Sequence, residues 1–251
     1  MSKIAQVNCL FWIMKICATT LGETAGDLLS MTMNVGYALS SLILIALFVA
    51  SLVAQVRASK FHSALFWTVI LTTSTAGTTI SDFVDRSLGL GYAKGSLILV
   101  TSLIAVLAVW YSSEKSLSLG SIRTRKAEMF YWMAILVSNT LGTALGDYLA
   151  DDSGLGFLGG AAVVGGILGI IAFVAYFTSL NRTVLFWSAF VLTRPFGATF
   201  GDLLTKRVDQ GGLGFGTIGS SAILGCLLAG FVVYTHLKWN PKKDKKSFCT
   251  H

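Results

Sequence analysis

Four tryptophans in this chain are each followed, fifteen residues later, by an aspartate: Trp12/Asp27, Trp67/Asp82, Trp132/Asp147 and Trp187/Asp202. The tracts between them are apolar enough to lie in a membrane. A carboxylate placed there costs several kcal/mol, roughly 2.5–3.5 by insertion measurements. Four of them in one register therefore need a physical reason.

The composition supports the membrane setting. Of 251 residues, 54% are hydrophobic and 12% charged, with two prolines. Nearly charge-free stretches of about twenty residues match a bilayer core about 30 Å thick. Eight spans are expected, at 7–29, 37–56, 63–84, 94–112, 129–149, 157–178, 184–204 and 216–237. The even-numbered spans are clean and the odd-numbered ones carry the polar residues. No cleavable signal peptide is expected, because the first apolar stretch continues directly into the first repeat.

Aligned on their tryptophans, the odd spans read LFWIMKICATTLGETAGDLL, LFWTVILTTSTAGTTISDFV, FYWMAILVSNTLGTALGDYL and LFWSAFVLTRPFGATFGDLL. The tryptophans are 55, 65 and 55 residues apart, and the extra ten residues fall in the polar linker around Ser112 to Glu128. Such a period sets the architecture. Two spans per unit give every unit the same orientation, so the repeats are parallel, related by an axis along the membrane normal. The expected fold is all-α: a polytopic membrane protein with eight transmembrane helices built from four parallel two-helix repeats. Repeats 1 and 2 occupy 1–114, a cytoplasmic linker 115–128, repeats 3 and 4 129–238, and a basic tail 239–251.

Lysine and arginine placement orients the chain. Thirteen fall on one side: Lys3, Arg57, Lys60, Lys115, Arg123, Arg125, Lys126, Arg182, Lys238, Lys242, Lys243, Lys245 and Lys246. The other side has Arg86, Lys94, Lys206 and Arg207, offset by Asp85, Asp151, Asp152 and Asp209. Both termini are thus expected in the cytoplasm, with the protein in a bacterial inner membrane. The net charge of +7 is this bias plus the tail, which suits anionic lipid headgroups and not nucleic acid.

Glycines recur five residues before each aspartate (Gly22, Gly77, Gly142, Gly197), and a small residue immediately precedes it (Gly26, Ser81, Gly146, Gly201). Small residues four apart let helices approach closely, so these read as packing positions. The tryptophans read as interfacial anchors. Glycine-containing turns (Asn34-Val-Gly-Tyr37, Leu90-Gly-Tyr92, Leu155-Gly-Phe157, Leu213-Gly-Phe215) follow the aspartates, at one offset in the first three units and a longer one in the fourth.

The aspartates lie about 22 Å beyond their tryptophans, in the outer third of the membrane. They sit at helix C-termini, where the macrodipole has the wrong sign for an anion, so a compensating cation is expected. Glu23 lies one turn before Asp27 on the same face, near the midplane. Thr19, Thr20, Thr24, Ser74, Thr75, Thr79, Thr140 and Asn139 add neutral oxygens. Lys15 is expected to snorkel toward the headgroups. Arg194, deeper and beside the helix-kinking Pro195, is expected to pair with a carboxylate, Asp202 being the candidate. Five acids against two bases leave a net −3 within the spans if all are ionised.

Such oxygens suit hard cations such as Mg²⁺, Ca²⁺ or Mn²⁺. His62, His236 and His251 lie at membrane edges or in the tail, and Cys9, Cys17, Cys226 and Cys249 are scattered without CxxC, so a disulfide, thiolate or zinc-type site is not expected. No nucleophile–base pair stands out, and an enzyme is not expected. Desolvated carboxylates can trade a proton for a cation, which makes antiport chemically natural.

The four tandem two-span units, each with its tryptophan and W-x14-D spacing, resemble the bacterial "repeat of unknown function" membrane proteins, the DUF347 repeat family. The resemblance covers 7–237 and implies the eight-span repeat architecture without an activity. Glu23-Thr-Ala-Gly-Asp27 is similar, with one residue more, to the acidic E-x-G-D signature of cation/proton exchangers, which points to Mn²⁺ or Ca²⁺.

The leading expectation is a transporter, an exporter, of a small divalent cation with Mn²⁺ first. Glu23, Asp27, Asp82, Asp147 and Asp202 would be its ligands, and Thr24, Thr79, Asn139, Arg194 and Lys15 the supporting or gating residues. No permanently bound cofactor is expected; the partners are the transported ion, the lipid bilayer and, if one chain does not enclose a pathway, a second copy. Two rivals stand beside it: a carrier of organic or anionic solutes recognised by Lys15 and Arg194, and a non-transporting scaffold or sensor.

Overall fold

The computed structural model of the protein describes residues 5–122 and 124–238. Lys3, Arg123 and the tail 239–251, with its lysines, Cys249 and His251, lie outside the described residues. Eight α-helices follow one another: α1 (Cys9–Asp27), α2 (Tyr37–Arg57), α3 (Ser63–Asp82), α4 (Tyr92–Glu114), α5 (Arg125–Asp147), α6 (Gly156–Phe177), α7 (Arg182–Thr205) and α8 (Gly216–Lys238). They fall on the eight expected spans. α5 starts earlier than read, at Arg125, because Thr124 caps it by accepting a hydrogen bond from the Ala127 amide at 3.0 Å. The odd helices run unbroken through their glycines, and α7 runs through Pro195.

The chain is an all-α polytopic membrane protein made of four parallel two-helix repeats. α1, α3, α5 and α7 form a closed inner ring, each packed on the next, with α7 returning to α1. Each outer helix then packs mainly on the ring helix of the following repeat: α2 on α3, α4 on α5, α6 on α7, and α8 on α1. A repeat is therefore a unit of sequence and not of packing, and the last outer helix closes the circle on the first ring helix. Both ends of the described chain lie at the tryptophan end, where Ser63 at the start of α3 hydrogen-bonds Thr235 near the end of α8 at 2.7 Å.

Five helices (α2, α4, α5, α6 and α8) are long and apolar enough on their own to cross a membrane. α1, α3 and α7 fall short only because they carry the polar residues that the ring turns inward. The outer helices show large apolar side chains to their surroundings, among them Leu42, Leu97, Phe173 and Ile223. That is the pattern of a lipid-facing shell around a polar-lined bundle.

Close helix approach makes the ring possible. Lipid tails supply no hydrophobic drive between helices, so association depends on packing at small residues. In each ring helix the glycine five before the aspartate faces the same repeat position of the next helix: Gly22 meets Ser74, Gly77 meets Asn139, Gly142 meets Arg194 and Gly197 meets Thr19. One turn further, Gly26 meets Thr78, Gly146 meets Ala198 and Gly201 meets Glu23. A Cβ at Gly77 would come within 2.9 Å of the backbone of Asn139 and Thr140, which cannot move aside independently of α5.

Gly77→Ala is expected to lower thermal stability even though alanine gains about 1 kcal/mol of helix propensity over glycine. Gly166→Ala, on an outer helix with nothing within 4 Å of the new Cβ, is expected to leave stability unchanged or raise it. Thermal unfolding of the two detergent-solubilised variants checks this; equal effects would remove the close-approach account.

Candidate functional site

The ring axis is lined by one residue in four from each helix, a row that runs obliquely along a helix surface. Taken from the tryptophan end, successive layers are Phe11, Phe66, Tyr131 and Phe186; Lys15, Ile70, Ile135 and Phe190; Thr19, Ser74, Asn139 and Arg194; Glu23, Thr78, Thr143 and Ala198; and the four aspartates. All twenty side chains are buried. Each layer is about 6 Å from the next at 1.5 Å per residue.

The first layer is an aromatic plug. Each of its rings packs on the tryptophan of the next repeat: Phe11 on Trp67 at 5.6 Å, Phe66 on Trp132 at 5.6 Å, Tyr131 on Trp187 at 6.2 Å and Phe186 on Trp12 at 5.8 Å between centroids. The tryptophans are thus not an outward-facing anchoring belt: Trp67, Trp132 and Trp187 are buried, and Trp12 alone is half-buried. Their indoles are held by the ring helices before lipid can compete for them.

Lys15 does not snorkel. It is fully buried, with its Nζ 4.1 Å from the centre of the Phe190 ring and 3.5 Å from the Asn139 Oδ1. Asn139 in turn donates from Nδ2 to Thr73 Oγ1 at 3.0 Å. Arg194 lies one layer deeper and crosses the ring. Its Nη2 is 2.8 Å from Glu23 Oε2 and 2.7 Å from Thr143 Oγ1, and it also bonds Thr78 Oγ1. The expected pairing of Arg194 with Asp202 is therefore incorrect. The two lie eight residues apart on one helix, about 12 Å along its axis, while Glu23 on the adjacent α1 comes directly against Arg194.

The aspartates find other cations. Arg86 bridges Asp82 (Nε to Oδ1, 3.1 Å) and Asp147 (Nη2 to Oδ2, 3.3 Å). Lys206 bridges Asp202 Oδ1 and Asp27 Oδ2, each at 3.0 Å. Both cations stand four residues after their own aspartate, in repeats 2 and 4, and each ties it to the aspartate of the next repeat. The equivalent residues of repeats 1 and 3 are Met31 and Asp151, so the aspartate layer has two-fold rather than four-fold symmetry. Burial works against the charge of Lys206, but Asp202 and Asp27 outweigh it and hold its pKa above the ordinary lysine value. The stabilisation from this pairing is therefore complete below the ordinary lysine pKa and is lost only as pH climbs through the higher folded value.

Sequence reasoning counted Arg86 and Lys206 as loop charges, although their i,i+4 spacing from an aspartate marked them. Of the neutral oxygens expected from the sequence, Thr19, Ser74 and Asn139 do share the layer of Arg194, but Thr24 and Thr79 lie one residue out of register. Thr24 meets Ser221 of α8 at 2.8 Å and Thr79 bonds back to Ala76 of its own helix, whereas Thr78 and Thr143 face the axis.

Of the five candidate ligands, Glu23, Asp147 and Asp202 converge, with one oxygen from each within 4.8 Å of the others, all three side chains being buried. Asp147 and Asp202 belong to repeats 3 and 4, one of the two junctions, with that of Asp27 and Asp82, that neither Arg86 nor Lys206 bridges. Asp27 and Asp82 complete the layer through the two bridges. Five carboxylates face Arg194, Arg86, Lys206 and, two layers below Glu23, Lys15; one negative charge remains if all are ionised, instead of the three counted from the spans alone. The first three ring helices end on their aspartates and widen into π-helical turns, Leu28–Thr32, Phe83–Ser87 and Tyr148–Asp152. Such turns often accompany functional sites.

A family model described as Repeat of Unknown Function (DUF347) matches the chain four times, over residues 10–61, 65–116, 130–181 and 185–238. The chain belongs to this family. Each DUF347 match opens two residues before a tryptophan and runs through one ring helix and the outer helix after it. The family repeat is thus the unit from which both the aromatic plug and the aspartate layer are built. No curated protein and no solved structure matches the chain.

Removing one partner of a buried pair costs about 3–5 kcal/mol because the other charge is stranded. Arg194→Met and Glu23→Gln are each expected to destabilise the protein strongly, and the double variant to be more stable than the sum of the two losses. A double-mutant cycle on thermal unfolding reads this coupling; additive losses would contradict the pairing.

Proposed function

We propose that the protein is a membrane transporter that takes a small divalent cation into its aspartate mouth, with Mn²⁺ the first candidate. The observation that supports this reading is the convergence of Glu23, Asp147 and Asp202 at the one end of the axis where acids outnumber bases. Three carboxylates with threonine hydroxyls nearby make a hard-oxygen donor set, suited to Mn²⁺, Ca²⁺ or Mg²⁺ rather than to softer metals. Binding there draws Glu23 away from Arg194, whose guanidinium stays within reach of Thr143, Thr78 and the backbone.

The positive-inside bias favours a cytoplasmic location for the plug and for both termini, with the mouth facing away from the cytoplasm in a bacterial inner membrane. Transport in this reading alternates between the present arrangement, sealed at the plug, and one in which the plug opens and the mouth closes. Export in exchange for protons is the coupling best suited to desolvated carboxylates, which carry either a proton or a share of a cation. The rival anion-carrier reading loses support because Arg194 is already committed to Glu23. A scaffold reading draws on a different observation, that Arg86 and Lys206 both tie neighbouring repeats together.

Uptake of Mn²⁺, Ca²⁺ and Mg²⁺ into proteoliposomes, with and without a pH gradient, separates these readings. The proposal expects flux of at least one ion, abolished in an Asp147→Asn/Asp202→Asn variant that keeps its fold. Absence of flux for all three ions, together with a loss of folding in the variant, would favour the scaffold.

A further inference from the structure

Lys206 is presented to the aspartate layer by a helix end unlike those of the other three ring helices. α1, α3 and α5 stop at their aspartates, but α7 continues past Asp202 to Thr205, and the backbone then turns extended at Lys206 (φ −68°, ψ 156°). The loop that follows is longer than its counterparts, its turn glycine Gly214 coming twelve residues after Asp202 where Gly36, Gly91 and Gly156 come nine after theirs, and it folds back on the end of α7. Leu213 donates its amide to Leu203 O at 2.7 Å, Gly214 to Lys206 O at 2.9 Å and Phe215 to Leu204 O at 3.0 Å. Gly212 lies so tightly against the Lys206 carbonyl that no Cβ fits there. The loop fixes the backbone of Lys206 and leaves its side chain, 20% exposed, to reach across the repeat 4–repeat 1 junction.

Arg86, at the same repeat position, is held differently. It lies within a π-helical turn, engages two carboxylates through two different nitrogens and stands 5.6 Å from the Tyr92 ring. A guanidinium fork is bound at several points, whereas an ammonium is a point charge on a flexible stem and leaves in one motion.

We propose that Lys206 is a tethered cation that holds Asp202 and Asp27 in the empty protein and is displaced by the incoming divalent ion, which takes Asp202 together with Glu23 and Asp147. This rests on the reading of the mouth as a divalent-cation site. It gives that site a selectivity rule: an entering ion must outcompete an ammonium already 3.0 Å from two carboxylates. Monovalent ions carry no more charge than the lysine and cannot gain by the exchange; divalent ions can.

The test is Mn²⁺ binding by titration calorimetry to the full chain and to three variants whose folding is verified by thermal unfolding. A tether that occupies the site most of the time lowers the apparent affinity by the fraction of protein left free, so Lys206→Met is expected to bind Mn²⁺ about tenfold more tightly. Its binding should also become sensitive to added Na⁺, to which the unmodified chain is indifferent. Lys206→Arg keeps the charge but adds a fork, and is expected to bind Mn²⁺ more weakly. Arg207→Met removes the same charge one residue away, from an exposed pair with Asp209 at 2.9 Å, and is expected to change nothing. Unchanged or weaker binding by Lys206→Met, or an equal gain in Arg207→Met, overturns the tether while leaving the cation site standing. Absence of Mn²⁺ binding in the unmodified chain and in Lys206→Met alike overturns the cation reading itself.

Discussion

Four helices in lipid have little reason to gather around one axis. Their outer surfaces are as apolar as the bilayer, and what holds them together must come from contacts that lipid cannot imitate. Here it is the close approach of neighbouring helices at the ring glycines, repeated at every junction and closed by Gly197 against Thr19. That approach fixes which row of each helix faces inward. Once the row is fixed, the rest follows in order: aromatic rings at one end, then Lys15, Arg194 and Glu23, then the aspartates. The outer helices complete the shell by crossing to the next repeat, so no repeat can be removed without opening the circle.

The axis is a graded series of costs and compensations. Aromatic rings seal one end by packing alone. In the interior Arg194 meets Glu23 and four hydroxyl or carbonyl partners, on Thr19, Ser74, Thr78 and Thr143, as a buried charge must if it is to be tolerated. At the far end the aspartates stand at helix C-termini, against the sign of the macrodipole. Arg86 and Lys206 answer that conflict, yet only at alternate junctions. The asymmetry matters more than the symmetry: a mouth with four bridging cations would be fully neutralised, and this one is not.

Much of this was legible in the sequence because the repeat is strict. The tryptophan–aspartate spacing gave the number of repeats, their common orientation and the level at which the acids lie, and the family match follows the same boundaries. What was not legible concerns direction around the axis. A threonine at position 78 or 143 and one at 24 or 79 differ by a single residue, about 100° around a helix, and only the packed ring tells which faces inward. Arg194 and Asp202 share a helix, but distance along that helix separates them, and the packing of α7 on α1 joins Arg194 to Glu23. The tryptophans read as headgroup anchors because sequence records depth better than rotation. Arg86 and Lys206 were within reach of sequence logic, since each is four residues from an aspartate, but their loop position hid them.

The account turns on where a cation sits. A crystal of the protein grown with Mn²⁺, with anomalous scattering recorded across the manganese edge, addresses that directly. The account predicts one anomalous peak among Glu23, Asp147 and Asp202, with the Lys206 ammonium moved off Asp202. A manganese peak elsewhere in the membrane-spanning region, or none while Lys206 still bridges Asp27 and Asp202, would contradict it.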